Sequence, residues 1–238
     1  FETFILKPFA ETYRVFHPQF EYLFNSYYNG VGAQFPRPQR GLLSRPAIDE
    51  VRDYRAHVDV HLMALLSDAE HPHHRTIMER VELGLHHENQ HQELFFTDLK
   101  YNFHCNPLYP CYVPLNGRWQ QEDAAPPLDW VPFEGGIAGI GAKAEGAGFV
   151  FDNETPHHRV WLEPFQLASR PVTNGEYLAF IEAGGYQESA YWLSDGWACI
   201  NSGNWSHPLY WHQQDGQWFE FTLHGLQPLD PSRTACHL

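Results

Sequence analysis

The segment LGLHHENQHQEL, residues 83–94, contains two histidines whose spacing suits metal binding. His87 and His91 lie four residues apart, and an α-helix would place both imidazoles on one face, where a single ion can bind both. Because Glu88 follows the first histidine, the segment also reads H-E-x-x-H, the signature of zinc peptidases. A polar helix face near solvent, or a chance match in a chain with 16 histidines, would give the same letters.

The rest of the chain argues against a peptidase. The extended zinc-peptidase pattern requires a glycine at position 94 and a histidine at position 97, where this chain has Leu94 and Thr97. No downstream N-E-x-x-x helix offers a third ligand. An open catalytic iron or zinc centre needs a third protein ligand as well. The remaining histidines of the first half do not identify it.

Residues 1–105 have the periodicity of amphipathic helices. One helix is predicted to begin with Ser44 as N-cap and Pro46 in its first turn. A second is predicted over Thr76–Phe103 and a shorter one over Pro18–Tyr28, which would end before Asn29-Gly30. The stripe of the first helix consists of Ile48, Val51, Val58, Leu62, Leu65 and Leu66. Several such helices joined by loops predict an antiparallel bundle.

The angular position of each residue around its helix axis shows which polar residues of the two long helices lie on the apolar stripe and which lie opposite it. Glu88 and Gln92 fall within the apolar stripe of the second helix, where burial is costly without a ligand or a hydrogen-bond network. His57 and His61 repeat the four-residue spacing, but they lie opposite the stripe, so we expect them to face water without a metal role. Arg55 falls at the centre of that stripe. Its guanidinium needs an anionic partner, either a bundle carboxylate or a substrate carboxylate.

From residue 106 onward the amino-acid composition and the residue pattern change. Residues 106–128 are rich in proline and predict a linker. Residues 129–238 combine glycine-rich stretches such as FEGGIAGIGAKAEGAG with alternating runs such as HRVWLEPFQLA, which predicts strands and turns. Thr173 and Glu176 form a capping box that opens a helix, and Gly184-Gly185 would end it. This half is predicted to be α+β.

Bulk composition excludes several classes of protein. Hydrophobic residues at 43% and charged residues at 18% indicate a folded globular chain. A net charge of −14 without a basic run argues against a nucleic acid or an anionic membrane as partner. No segment has the length and apolarity of a membrane span or the pattern of a signal peptide. The 4 cysteines form no C-x-x-C pair, which favours reduced thiols in the cytoplasm.

The chain resembles the ergothioneine-biosynthesis sulfoxide synthases, which are non-haem iron enzymes built from a DinB-like helical bundle and a formylglycine-generating-enzyme-like domain. The matching segments, in order, are FETFILKPF, LFNSYYNGVG, GLLSRPAIDEVRDYRAHVD, HHENQHQELFFTDLKYNF, FDNETPHHRV, ASRPVTNGEYLAFIEAGGY and WLSDGW. The resemblance implies an α+β two-domain protein with the bundle over 1–105, the linker over 106–128 and the second domain over 129–238. It also implies that this chain is a fragment, lacking the first segment of the bundle and the second half of the C-terminal domain, and therefore not necessarily active alone.

The resemblance implies a chemistry for the two histidines. His87 and His91 would be two of three histidines that bind Fe(II), with the third in a segment before Phe1. The enzymes use O2 as co-substrate to join a thiol sulfur to C2 of Nα-trimethylhistidine and to oxidise it to a sulfoxide. The thiol is cysteine or γ-glutamylcysteine. The segment NSYYNGVG is most similar to the subgroup that uses free cysteine.

The resemblance also implies roles for five other side chains. Tyr27 and Tyr28 match an active-site pair, of which one phenol could donate a proton or hydrogen atom and favour C–S coupling over thiol dioxygenation. Gln90 would hydrogen-bond the substrate imidazole. Arg37 and Arg40 could clamp an amino-acid carboxylate. Without the resemblance, the same residues would be interpreted as helix-end aromatics, a surface amide and solvated loop arginines.

Other functions share parts of this pattern. An ovothiol-type 5-histidylcysteine sulfoxide synthase would attack C5 of unmethylated histidine. A zinc-dependent hydrolase or a zinc-dependent thiol transferase on a DinB-like bundle would need no O2, and a binding module would need no metal. The sequence carries no signal for oligomeric state.

Overall fold

The computed structural model describes residues 1–115, 124–143 and 148–237. These residues form two compact units, Phe1–Glu93 and Leu94–Leu238. Part of the predicted linker (116–123) and part of the predicted glycine-rich stretch (144–147) lie outside the described residues. Within the described ranges, every helix is too short or too polar to cross a bilayer.

Helices and strands both occur, which confirms the α+β class. The helical segments are a π-helical turn Glu2–Leu6, α1 Lys7–Phe9, α2 Phe20–Phe24, a 3-10 turn Arg37–Leu42, α3 Ile48–Leu66, α4 His74–His104, a 3-10 turn Asp152–Glu154, α5 Asn174–Glu182, a 3-10 turn Ser189–Tyr191 and α6 Ser194–Gly203. The strands are β1 Trp130–Phe133, β2 Gly136–Ile140, β3 His158–Leu162, β4 Phe165–Ala168, β5 Trp211–Gln214, β6 Gln217–Thr222 and β7 Gly225–Pro228.

The predicted start of α3 is wrong. The helix begins at Ile48, after Ala47, whose backbone is extended with ψ at 163°, so Ser44 is not its N-cap and Pro46 is not in its first turn. A proline biases the residue before it toward extended backbone, which keeps Arg45 outside the helix. The C-terminal half of the predicted stripe is buried, but Ile48 at its start is 67% exposed.

The core of the first unit joins three elements. The π-helical turn, α3 and α4 contribute its buried side chains together with Tyr13. These residues are Ile5, Leu6, Tyr13, Val58, Leu62, Leu65, Ile77 and Val81. The α4 helix covers the predicted range, extended by residues at both ends. Its predicted apolar stripe is buried only in its first part, at Ile77 and Val81. Further along the same stripe, Leu85 is 57% and Phe95 is 58% exposed.

The prediction that His57 and His61 face water is wrong. Both are half-buried against the segment that contains Tyr13, whose ring centroid lies 5.5 Å from that of His57 and 5.1 Å from that of His61. His57 Nε2 also donates to the backbone carbonyl of Arg14 at 2.9 Å. Helical angles locate the stripe of one helix but do not show that the N-terminal segment covers the opposite face.

The second unit contains two antiparallel strand pairs and a three-stranded sheet. Strand β1 pairs with β4 and β2 pairs with β3, which confirms the strands predicted in HRVWLEPFQLA. The three-stranded sheet has the order β5-β6-β7, and its Trp211 and Phe221 are among the largest fully buried side chains.

The predicted capping box of α5 is confirmed. The Thr173 hydroxyl accepts from the Glu176 backbone N–H, and the Glu176 carboxylate accepts from the Thr173 backbone N–H at 2.9 Å. Arg170 binds the same carboxylate through two nitrogens, at 2.8 and 2.9 Å. This ion pair, with the backbone hydrogen bond from Thr173, lowers the pKa of Glu176 to about 2. Gly184, with φ at +82°, follows the helix end, as a C-terminal glycine stop requires.

Candidate metal centre

Helix α4 brings the two histidines of the 83–94 segment together. The ring centroids of His87 and His91 lie 4.5 Å apart, with the planes at 85°. His87 is half-buried and His91 is exposed. The spacing follows from the helix, because residues one turn apart share a face. Two imidazoles in contact on one face are a donor set that a ferrous or zinc ion accepts.

Tyr28 lies next to this pair. Its Oη is 3.4 Å from Nε2 of His87, and its ring meets the edge of Phe4 at a centroid distance of 5.5 Å. The structure therefore combines a phenol hydroxyl with one of the two ring nitrogens through which His87 can bind a metal. That Tyr28 and His87 belong to one catalytic site stays a prediction, with which this contact agrees.

The loop that carries Tyr28 is organised by Asn25, which sequence analysis missed. The α2 helix ends at Phe24, with Asn25 as its C-cap, and does not extend to Tyr28 as predicted. The buried Asn25 side chain accepts from the Tyr28 backbone N–H at 3.0 Å and donates to the carbonyls of Tyr28 and Gly32 at 3.0 and 3.2 Å. An asparagine that hydrogen-bonds nearby backbone groups competes with helix formation, which explains the early helix end.

The electrostatics at His87 favour its neutral form. Burial is the largest cause that lowers the pKa of His87, and the positive charge of His91 lowers it further, against the opposing effect of Glu88. A metal ligand must offer an unprotonated nitrogen. The environment therefore fits the requirement for a metal-binding imidazole.

Glu88 is held by an ion-pair cluster. Arg55 Nη1 donates to Glu88 at 3.3 Å, and Arg55 Nε donates to both carboxylate oxygens of Asp59 at 3.0 Å. The predicted pairing of Arg55 with a bundle carboxylate is confirmed, although its side chain is 59% exposed and does not point into the core. The hydrogen bond that Arg55 donates to Asp59 is the first cause that raises the pKa of Arg55.

Of the other predicted site residues, three are exposed and Arg40 is half-buried. Tyr27 is 68% exposed, and the guanidinium carbon of Arg37 is 4.4 Å from its ring centroid. Arg40 Nη2 donates to the Ser26 hydroxyl at 3.1 Å. Gln90 is exposed on α4. The two tyrosines thus have different surroundings, since Tyr28 contacts His87 and Tyr27 contacts Arg37.

Within the described residues, no group of three or more His, Cys, Asp and Glu side chains is arranged to hold a metal ion. The centre that the structure describes is the pair His87 and His91 with the adjacent Tyr28.

Sequence reasoning also missed Glu2, which is 6% exposed. Its only sequence signal is a single acidic residue within the otherwise uncharged segment FETFIL.

The chain is similar to one protein-family model and to several known proteins. The family model described as the sulfatase-modifying factor enzyme 1-like domain matches residues 118–227. Hercynine oxygenase of Mycolicibacterium smegmatis is 32% identical over 134 residues, which are 56% of this chain and 30% of that protein. Hercynine oxygenase of Mycobacterium tuberculosis is 36% identical over 72 residues, which are 30% of this chain and 17% of that protein.

A fungal protein is similar as well. Ergothioneine biosynthesis protein 1 of Schizosaccharomyces pombe is 34% identical over 82 residues, which are 34% of this chain and 8% of that protein. The matched regions span less than a third of the length of these curated relatives. Together the comparisons confirm the resemblance to ergothioneine sulfoxide synthases and the formylglycine-generating-enzyme-like character of the second half.

Proposed function

We propose that this chain acts in an iron- and O2-dependent sulfoxide synthase of ergothioneine biosynthesis. The reaction joins a thiol sulfur to C2 of Nα-trimethylhistidine and oxidises the sulfur to a sulfoxide. O2 takes up the electrons of both oxidations: one oxygen atom enters the sulfoxide, and the other leaves as water with the hydrogens from the thiol and C2. The observation that carries the proposal is the Tyr28 hydroxyl 3.4 Å from His87 in the His87–His91 pair.

His87 and His91 would hold the ferrous ion, together with the third histidine that the resemblance calls for. The lowered pKa of His87, caused first by burial, supports this role because it keeps the imidazole neutral. When bound, Fe(II) supplies O2 activation and a coordination position for the thiolate. Neutral nitrogen ligands leave the ion able to accept an anionic thiolate.

Tyr28 would be the catalytic phenol. Its hydroxyl is next to His87 Nε2, so it can deliver a proton beside the metal position and favour C–S coupling over thiol dioxygenation. Tyr27, the other predicted catalytic tyrosine, carries the Arg37 guanidinium on its ring. We assign Tyr27 a positioning role, in which its ring orients the Arg37 guanidinium.

Arg37, Arg40 and Gln90 would contact substrate. The two guanidiniums could clamp a carboxylate through paired hydrogen bonds, and the bond of Arg40 to Ser26 would orient one of them. Gln90 lies between the two histidines on α4 and would hydrogen-bond the substrate imidazole. The thiol donor would be cysteine, with γ-glutamylcysteine as the alternative.

The domain assignment that goes with this function is a DinB-like bundle over 1–105, a linker over 106–128 and a formylglycine-generating-enzyme-like domain over 129–238. The long helices α3 and α4 support the bundle.

The cysteines support a cytoplasmic location for the protein. All four are free and exposed, as expected in a reducing cytoplasm: Cys105, Cys111, Cys199 and Cys236.

The peptidase alternative is weakened by the position of Glu88. In an H-E-x-x-H peptidase this glutamate is the general base beside the metal water. Here Glu88 accepts a hydrogen bond from Arg55 at 3.3 Å. The carboxylate is thus engaged by the Arg55 guanidinium, whereas a general base must direct its oxygen at the metal-bound water.

The test is O2 consumption by the protein at its full natural length, loaded anaerobically with Fe(II). We expect uptake only when Nα-trimethylhistidine and a thiol are both present, with a sulfoxide product detected by mass spectrometry. Parallel runs with cysteine and γ-glutamylcysteine identify the donor, and unmethylated histidine tests the ovothiol-type reaction. Metal-dependent hydrolysis without O2 uptake would contradict the proposal.

A further inference from the structure

Two histidines of the second unit contact each other and have no role in the function proposed above. His104 is the last residue of α4, and His212 lies on β5. Nδ1 of His104 is 3.3 Å from Nε2 of His212. Both residues belong to the same compact unit, so this contact joins the C-terminal end of α4 to the sheet β5-β6-β7.

Aromatic rings surround the two imidazoles. The ring centroid of His104 lies 5.0 Å from that of Tyr210 and 5.7 Å from that of Phe221. The ring centroid of Tyr109 lies 5.2 Å from that of His212. Tyr210 and Phe221 are buried, and both imidazoles are half-buried. These rings replace part of the water that would otherwise stabilise a charged imidazole.

A hydrogen bond between two imidazoles depends on their protonation. When both rings are neutral, one nitrogen donates and the other accepts, and after one proton is added the neutral ring can still accept. When both rings are protonated, both facing nitrogens carry hydrogens and neither can accept. Two like charges then also lie side by side, which disfavours the charged forms. The contact therefore tolerates one added proton but not two.

The charged groups around the pair also oppose protonation. Burial is the largest cause that lowers the pKa of His104, and the positive charge of Lys100 lowers it further. Burial is likewise the largest cause that lowers the pKa of His212, followed by the charges of His104 and His207. The neighbours of the pair thus act in the same direction as its burial.

Lys100 has partners of its own in this region. Its Nζ lies 4.1 Å from the ring centroid of Tyr210. The negative charges of Glu220 and Cys236 raise the pKa of Lys100, against the larger lowering effect of burial. These acidic groups therefore act on the ammonium that adjoins His104.

A lowered pKa in the folded protein makes the pair sensitive to acid. Each imidazole binds protons less readily in the folded chain than in the unfolded chain, where its pKa is about 6.5. The stability that the pair contributes is therefore complete above that pH. It decreases as the pH falls below that value and through the lowered pKa values of the folded state.

We propose that His104 and His212 form an acid-sensitive latch, which holds the last turn of α4 on the sheet while at least one ring is neutral and releases it when both are protonated. The latch does not depend on the proposed function, since neither ring is a proposed metal ligand. It gives the helix that carries His87 and His91 a C-terminal anchor whose strength depends on pH.

Amide hydrogen exchange at pH 7.5 and 5.5, corrected for the intrinsic exchange rate, tests the latch in the protein at its full natural length. Circular dichroism checks that the fold persists at both pH values. Protection of the amides of residues 100–104 should fall by about tenfold at the lower pH. The amides of α5 are the internal control, because the pKa of Glu176 at about 2 keeps its ion pair with Arg170 intact. Equal losses in the two helices, or no loss at residues 100–104, would overturn the proposal.

Two variants identify the residues that respond to pH. His212→Gln keeps a side-chain amide near the position of Nε2 and cannot be protonated, so the loss at residues 100–104 should shrink to that of α5. His207→Gln is the matched control and should keep the tenfold loss, because His207 Nδ1 donates to the Pro208 carbonyl at 3.0 Å. A full loss in His212→Gln, or its disappearance in His207→Gln alone, would overturn the proposal.

A third variant covers the case in which His212→Gln does not fold. His104→Asn places an amide near the position of Nδ1 and removes one of the charges that lower the pKa of His212. The midpoint of the His212 titration, followed by NMR of its ring, should therefore move to higher pH. An unchanged or lower midpoint in His104→Asn would show that the two rings do not titrate together and would overturn the proposal.

Discussion

Two histidine pairs with the same spacing lie on the two long helices, and their surroundings differ. On α3 the ring centroids of His57 and His61 are 4.4 Å apart with planes at 47°. On α4 those of His87 and His91 are 4.5 Å apart with planes at 85°. The distance between the rings therefore does not distinguish the pairs.

Their neighbours do distinguish them. The α3 pair packs against Tyr13, and both rings bond backbone carbonyls, His57 that of Arg14 at 2.9 Å and His61 that of His57 at 2.8 Å. In the α4 pair, His87 lines a cavity and lies next to the Tyr28 hydroxyl. Spacing of four residues therefore brings two imidazoles together on either helix, and the segment that covers the helix face decides whether the pair is structural.

The largest expected effect breaks the α4 pair. Fe(II)-dependent sulfoxide formation by His87→Ala should fall by roughly a hundredfold or more, because loss of a direct ligand exceeds the 10–100-fold cost of losing an outer-shell partner. The matched change on α3, His57→Ala, should keep at least half of the activity. Product formation under saturating Fe(II) measures both, and equal losses in the two variants would erase the distinction between the pairs.

The next effect concerns the phenol hydroxyl of Tyr28, which lies next to a ring nitrogen of the α4 pair. Tyr28→Phe removes the hydroxyl 3.4 Å from His87, and sulfoxide formation should slow by about a hundredfold, as for loss of a general acid. Oxidation of the thiol without coupling should take a larger share of the O2 consumed. Tyr27→Phe is the control, and its product ratio should match that of the unaltered protein. A shift in Tyr27→Phe alone would reverse the roles of the two tyrosines.

The two pairs also depend on different supports. Asn25→Ala removes the buried side chain that bonds the Tyr28 loop, and it should lower the free energy of unfolding by about 1–3 kcal/mol. It should also reduce C–S coupling, because Tyr28 loses its fixed position. Urea unfolding and product ratios measure these effects. Unchanged coupling in a folded Asn25→Ala protein would show that the loop needs no such support.

On α3 we expect a stability effect alone. His57→Ala loses a hydrogen bond to the Arg14 carbonyl and ring contacts with Tyr13, which should lower the free energy of unfolding by about 1–2 kcal/mol. Iron affinity should stay the same. A tenfold loss of iron affinity in this variant would assign the α3 pair to the metal centre.

The smallest effect tests the peptidase interpretation of the α4 pair. Glu88→Gln removes a half-exposed partner of Arg55, and such pairs contribute little stability. Iron affinity and sulfoxide formation should change by less than about fivefold, in line with the modest energy of an exposed ion pair. A loss of activity equal to that of His87→Ala would restore Glu88 as a base.

Local signals in the sequence predicted much of the fold. The capping box of α5 and the strands of residues 158–168 depend on neighbouring residues, and both are confirmed. The start of α3 was wrong because the preference of a proline for the first turn competes with its effect on the residue before it. The early end of α2 depends on hydrogen bonds from Asn25 to Gly32, seven residues away, which no local pattern encodes.

The candidate site was predictable only in part for the same reason. Helical spacing brought His87 and His91 together, but the burial of His57 and His61 depends on a segment distant in sequence. The buried carboxylate of Glu2 is bonded by Tyr54, 52 residues away. Such contacts arise from packing between elements, so the periodicity of a single helix cannot predict them.

The most direct test of the central claim is anaerobic titration of Fe(II) into two double variants, H87A/H91A and H57A/H61A, beside the unaltered protein. We expect H57A/H61A to bind iron with the stoichiometry and affinity of the unaltered protein, and H87A/H91A to show no saturable binding. Retention of iron by H87A/H91A, or its loss from H57A/H61A alone, would contradict the claim that the α4 pair forms the metal centre.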